Sequence, residues 1–149
     1  MIYSKPCEYA IRALAFLASS PAHSTARGEE IARAENIPGP MLGKVLQELV
    51  RKGLLESRRG PGGGFRLARR AKLITLRDVV AAIDGLDPLM ECAVGLERCA
   101  DEAPCPLHDT FKGIRKLMMA YLETTTLDSM ALAVARKKEL VRRQARRKR

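Results

Sequence analysis

Apolar residues along this chain recur mostly three or four positions apart, which predicts helices separated by proline and glycine breaks. Ala10, Ile11, Leu14, Leu17 and Ala18 share one helical face behind Pro6, which a first turn tolerates, and that helix is expected to end before Pro21. After Gly28 comes a short helix around Glu29 to Glu35. The stretch "NIPGP" breaks it, and Pro40 opens a helix that turns Leu42, Val45, Leu46, Leu49 and Val50 inward before ending near Gly53. Two short helices across a tight break predict a helix-turn-helix whose second member is the recognition helix.

The period then changes. In "LLESRRGPGGGFRLARR", Leu55 on one side and Phe65 and Leu67 on the other flank "GPGGG", so a β-hairpin is expected with glycines at its tip. A hairpin directly after a helix-turn-helix is a wing. Thr75 with Asp78 forms a capping box for a helix carrying Val79, Val80 and Ile83, stopped by Gly85. A cysteine-containing stretch leads to a long helix striped by Phe111, Ile114, Met118, Tyr121 and Leu122. Thr125 with Asp128 is expected to cap a last helix through Leu127, Met130, Ala131 and Val134, and "RRQARRKR" to fray beyond it. The expected fold is mainly α with a small β-hairpin wing. Its divisions are a winged helix-turn-helix over 1–85, a cysteine-rich loop over 86–106, long helices over 107–135 and a disordered basic tail over 136–149.

With 149 residues the chain has room for one domain, or a small domain plus an oligomerisation element. The formal charge of +10 is uneven. Residues 136–149 hold nine Lys or Arg and one Glu, a local +8, and residues 51–72 hold eight Lys or Arg and one Glu, a local +7. Two basic patches on an otherwise neutral-to-acidic chain point to nucleic acid. Glu8 and Arg12 interrupt the apolar run near the start, which excludes a signal-peptide core, and a cytoplasmic protein is expected. In a reducing compartment, clustered cysteines bind metal or do redox chemistry more often than they form structural disulfides.

"GPGGG" lacks the Lys-Ser/Thr pair and following helix of a phosphate-binding P-loop, and its neighbours Arg58, Arg59 and Arg66 suit a wing that enters a minor groove. Candidate DNA contacts are Pro40, Met41, Gly43 and Lys44 on the recognition helix, with Arg58 and Arg59 on the wing. Cys92, Cys99, Cys105 and His108 are spaced C-x6-C-x5-C-x2-H, unlike the paired C-x2-C arms of zinc fingers. Widely spaced thiolates in a loop can wrap an iron-sulfur cluster, whose soft core prefers sulfur ligands. Idle thiols or a reversible disulfide are the alternatives, and His108 has a second reading as a helix-capping residue. Cys7 is expected to pack as a small residue in the first helix, and His23 to lie in a plain loop. No Ser, His and Asp set suggests an enzyme.

"YAIRALAFLA", "RRGPGGGFRL" and three cysteines ahead of a long helix together resemble the Rrf-two family of winged-helix regulators, in its IscR-like, cluster-binding branch. The resemblance covers about residues 1–135. It implies a homodimer held by the long helix, two winged helices reading a palindromic operator in double-stranded DNA, and a cluster, 2Fe-2S or 4Fe-4S, bound by Cys92, Cys99 and Cys105. His108 matches the position where one branch supplies the fourth ligand; in other branches an acidic residue of the partner's first helix does so, and Glu8 stands there. The chain departs from the branch in its first cysteine gap of six residues, in Cys7, and in "PGPMLGK", which lacks the polar residues used for base contacts. Two other readings are a thiol-based redox regulator without a cluster, and a small iron-sulfur carrier or electron-transfer protein that does not bind DNA.

Overall fold

The computed structural model describes residues 3–21, 24–96 and 100–147. Ser4 caps α1 (Lys5–Ala18) by accepting a hydrogen bond from the Cys7 amide at 3.2 Å, and Pro6 occupies the first turn. Next come α2 (Gly28–Glu35) and α3 (Gly39–Arg51). Between them Asn36 closes α2 in the left-handed conformation, with φ of 49°. Ile31, Leu42, Val45, Leu46 and Leu49 pack with Ala10, Ala13, Leu14 and Leu17 of α1 in one core, as the apolar periodicity predicts.

The wing consists of β1 (Leu55–Arg58) and β2 (Gly64–Leu67), antiparallel with Leu55 opposite Leu67 and Arg58 opposite Gly64. Ala26 adds a one-residue bridge to Phe65, its amide donating to the Phe65 carbonyl at 3.0 Å and its carbonyl accepting from the Phe65 amide at 2.8 Å. That bridge is why Gly64 is glycine: its φ is 144°, and a Cβ there would lie 2.5 Å from the Ala26 carbonyl oxygen.

A 3-10 turn (Ala71–Leu73) leads to α4 (Leu76–Ile83), where the expected Thr75–Asp78 capping box is complete. Asp84 at the end of α4 returns to the start of α1, accepting from the Ser4 amide at 2.9 Å and from its hydroxyl. A single-turn helix, α5 (Asp87–Met90), begins the segment before α6 (His108–Thr124). Finally α7 (Leu127–Arg147) returns to the winged helix. Its start is held by two strand-like bonds, from the Leu76 amide to the Thr125 carbonyl at 2.8 Å and from the Leu127 amide to the Ile74 carbonyl at 2.9 Å. Among the described residues no helix is long and apolar enough to cross a membrane.

Three expectations differ from the structure. The cap of α7 is Thr126 with Ser129, one residue beyond Thr125 and Asp128: the Thr126 hydroxyl accepts from the Ser129 amide at 3.2 Å. Residues 136–147, expected to fray, continue α7 as helix, because Lys138 is drawn to the buried Glu35. Of the expected α6 stripe only Leu122 is buried, whereas Ile114 and Tyr121 are nearly half exposed and their neighbour Leu117 is 74 % exposed. Within one chain, and among the described residues, α6 meets the core near its C-terminal end, through Met119 and Leu122.

Candidate functional site

The first two turns of α3 present Pro40, Met41 and Lys44 to solvent, with Gly43 half-buried among them. Arg58 ends β1 and Arg59 begins the tip, where Gly60 and Gly62 take φ of 90° and 72°. Lys44, Arg58 and Arg59 are exposed and enter no ion pair among the described residues, so their charges are available to a ligand. Arg66 is different. It crosses the hairpin to Glu56, donating from Nε at 2.8 Å and from Nη2 at 2.6 Å, and so braces the wing. The Thr25 hydroxyl also braces it, donating to the Gly62 carbonyl at 2.8 Å.

Neither α2 nor α3 has a side-chain cap: Arg27 and Pro38 occupy the cap positions. Both N-termini border a depression of about 510 Å³ lined by Arg27, Gly28, Glu29, Gly39, Gly43, Leu46 and Phe65. Open helix amides beside an exposed arginine favour phosphate oxygens. Sequence reasoning passed over Arg27. The signal available was the absence of Ser, Thr, Asp or Asn at the cap.

The cysteine segment lies along the N-terminal half of α6. Cys92 and Cys105 are half-buried free thiols, close enough for Cys105 to act on the Cys92 thiol. Cys99 lies outside the described residues, as does His23. Hydrogen bonds to Cys92 from the backbone of Val94 first, then of Leu96 and from Cys105, with the nearby Arg115 charge, pull its thiol below the ordinary value against the opposing effect of burial. Arg115 also fixes the loop, donating from Nε to the Leu89 carbonyl at 2.8 Å and from Nη2 to the Glu91 carbonyl at 2.9 Å while stacking 5.2 Å from the Phe111 ring centre. One turn earlier, Lys112 donates to both Asp101 oxygens at 2.6 and 2.8 Å. The buried His108 places Nε2 2.7 Å from Asp101 Oδ1, and its amide donates to the Cys105 carbonyl at 2.9 Å. The Lys112 hydrogen bond first, then that of His108, holds the Asp101 carboxyl below the usual carboxylate range. His108, Lys112 and Arg115 are spaced by four and three, so a single face of α6 fastens the loop.

Cys7 is fully buried in α1, as expected, and its thiol is pushed up to about 12, chiefly by burial and then by Asp84. Glu8 pairs with Lys5 at 2.9 Å and Arg12 at 3.7 Å. Among the described residues no three His, Cys, Asp or Glu side chains gather as a metal site. Of the five residues expected to hold a cluster, Cys92 and Cys105 lie near one another, His108 is engaged by Asp101, Glu8 by Lys5 and Arg12, and Cys99 is outside the described residues. The soft sulfur of Cys92 and Cys105, the lowered Cys92 thiol and the nearby Arg115 guanidinium suit a metal-sulfur core of negative charge.

A helix-turn-helix with an exposed basic wing, followed by a cysteine loop fastened to a long helix, defines the winged-helix class of transcriptional regulators. The Rrf2 family profile, described as an iron-dependent transcriptional regulator, matches residues 3–133. The chain belongs to this family. A Rhizobium meliloti relative, protein aau3, is 37 % identical over 139 residues, covering 89 % of this chain and 86 % of the relative. An Aquifex aeolicus protein described as an HTH-type transcriptional regulator is 32 % identical over 132 residues, 87 % of this chain and 91 % of its own. Among solved structures, CymR, the global cysteine regulator of B. subtilis, superimposes with a TM-score of 0.76 at 26 % identity, covering 89 % of this chain and 98 % of CymR. IscR of T. potens gives a TM-score of 0.71 at 21 % identity, covering 90 % and 88 %, a likeness of fold alone.

Proposed function

We propose that this chain is a cytoplasmic, homodimeric DNA-binding regulator whose grip on a palindromic operator is set by an iron-sulfur cluster held by Cys92, Cys99 and Cys105. The observation that carries the reading is that the segment bearing Cys92 is fastened to α6 by Arg115, with Cys105 close to the Cys92 thiol. Lys44, Arg58, Arg59 and the open amides beside Arg27 neutralise phosphates, while Pro40, Met41 and Gly43 lie at the major-groove edge of α3. The exposed Ile114, Leu117 and Tyr121 make α6 the face that meets the second copy. In that dimer Glu8 or His108 supplies the fourth ligand, and His108 must then exchange its contact with Asp101 for one to metal. A bound cluster supplies bonds that iron loss, oxidation or nitric oxide can break. Because His108, Lys112 and Arg115 fasten the loop to α6, a change in the loop alters the spacing of the two winged helices, and both half-sites must be met together.

Anaerobic purification with iron and sulfide counting tests this. Bound iron and sulfide with visible absorbance are expected, both lost in Cys99→Ala with the fold retained. Colourless protein, or colour unchanged by that substitution, overturns the assignment.

The same contact favours a second reading, in which Cys92 and Cys105 sense oxidants directly by forming a disulfide. The likeness to CymR, a cysteine regulator, is in keeping with it. A peroxide-induced Cys92–Cys105 disulfide in iron-free protein, accompanied by changed DNA affinity, distinguishes this reading from the first. The wing and the open helix ends weigh against a mere cluster carrier, which has no use for them.

A further inference from the structure

We propose that the C-terminal half of α7 is a second DNA-contacting element, holding phosphates outside the segment addressed by α3 and the wing. The inference rests on the reading of the chain as a DNA-binding regulator. It begins from an excess of charge: residues 136–149 hold nine Lys or Arg and one Glu, whereas the family match ends at residue 133. The basic stretch therefore lies beyond the residues that match the family.

The structure seats this stretch on the DNA-reading head. Glu35, the last residue of α2, is only 5 % exposed, and Lys138 Nζ donates to its Oε1 at 2.7 Å, with Arg12 Nε 3.7 Å from its Oε2. Val134, Ala135, Lys138 and Arg142 line a cavity of about 250 Å³ together with Ala15 and Phe16 of α1. A buried carboxylate needs a cation close by, and the one that α7 provides fixes the helix beside the turn between α2 and α3. Beyond Lys138, α7 continues for about 13 Å at the usual helical rise.

Its remaining cations have no such task. Arg136, Lys137, Arg142 and Arg146 are exposed and enter no ion pair among the described residues, whereas Arg143 pairs with Glu139 at 2.8 Å. Like charges crowded on one rigid helix repel one another unless a polyanion neutralises them, and the polyanion that the head already meets is duplex DNA. The apolar positions on this half are Leu140 and Val141, adjacent and about half exposed, too little for the continuous apolar face with which a helix enters a membrane surface. The tail also has no aromatic residue to stack on unpaired RNA bases.

The test is fluorescence anisotropy on mixed-sequence duplexes of about 20 and about 40 base pairs over a potassium chloride series, a readout of phosphate neutralisation that needs no known operator. The full chain is compared with an R136Q/K137Q/R142Q/R146Q variant, checked for unchanged helical circular dichroism, and with Lys138→Met. The fourfold variant should lower the slope of log affinity against log salt by about 0.9 for each phosphate left unneutralised, at least about two per protomer, and should show no preference for the longer duplex. Lys138→Met, which removes one charge but also the seat on Glu35, should weaken binding to the longer duplex more than Lys137→Gln does. An unchanged slope in the fourfold variant overturns the proposal. So does tighter binding of the tail to single-stranded RNA or to phosphatidylserine vesicles than to duplex. If the unmodified chain binds neither duplex, the regulator reading itself falls; if it binds and the fourfold variant matches it, only the tail assignment falls.

Discussion

Cys7 and Cys92 show how far surroundings separate two chemically identical side chains. Burial and then Asp84 push the Cys7 thiol up to about 12, so it stays protonated at neutral pH. The sign of its linkage follows: a raised folded value favours the neutral thiol, so the stability it lends is complete below the ordinary value of about 9 and is lost as pH rises towards about 12. In iron-free protein, iodoacetamide at neutral pH should modify Cys92 at least tenfold faster than Cys7, as read by peptide mass spectrometry. Equal rates would contradict the burial of Cys7. Arg115 makes a second prediction. Arg115→Ala releases the carbonyls of Leu89 and Glu91, and amide exchange across residues 89–96 should accelerate by about tenfold or more; Arg115→Lys should not restore protection, since one ammonium cannot reproduce the two-pronged grip. Cys7 was legible in the sequence because it sits on the apolar face of a periodic helix. Asp101 and Arg115 were not, because nothing in local spacing reveals that an acid in a loop meets two residues of a helix that has yet to begin.

At the level of elements, hydrophobic period and turn chemistry revealed most of the winged helix, down to the Thr75–Asp78 box and the glycine tip. The errors lie where distant segments decide. Thr125/Asp128 and Thr126/Ser129 both satisfy cap spacing, but Thr125 is kept extended by its carbonyl bond to Leu76, so the helix starts one residue later. Thr126→Ala should therefore cost about 1 kcal/mol in denaturant unfolding, and Asp128→Ala less than half of that. The basic stretch of α7 reads as disordered by composition; a buried glutamate more than a hundred positions earlier in the chain keeps it helical. The wing offers a sharper test. Gly64→Ala would place a methyl group against the Ala26 carbonyl, and DNA affinity should fall by about tenfold or more with the thermal midpoint lowered. Unaltered binding would show that the Ala26–Phe65 bridge does not position the wing tip.

For the whole molecule, the proposed dimer rests on the exposed face of α6. Leu117→Glu places a charge at its most exposed large apolar residue and should yield monomers by light scattering, with operator binding weakened far more than binding to a single half-site. Sequence periodicity identified this helix but could not show which of its apolar residues the chain covers by itself; the solvent exposure of Leu117 does. The two-bond bridge between Thr75 and Thr126 then has a mechanical consequence. It pins the C-terminal end of α6 to the head, while His108, Lys112 and Arg115 tie the loop to the N-terminal half of a helix roughly 25 Å long at the usual rise for its seventeen residues. Under the proposed reading the helix would act as a lever with its fulcrum at the head, so that a pull on the free arm would reach the recognition surface as rotation.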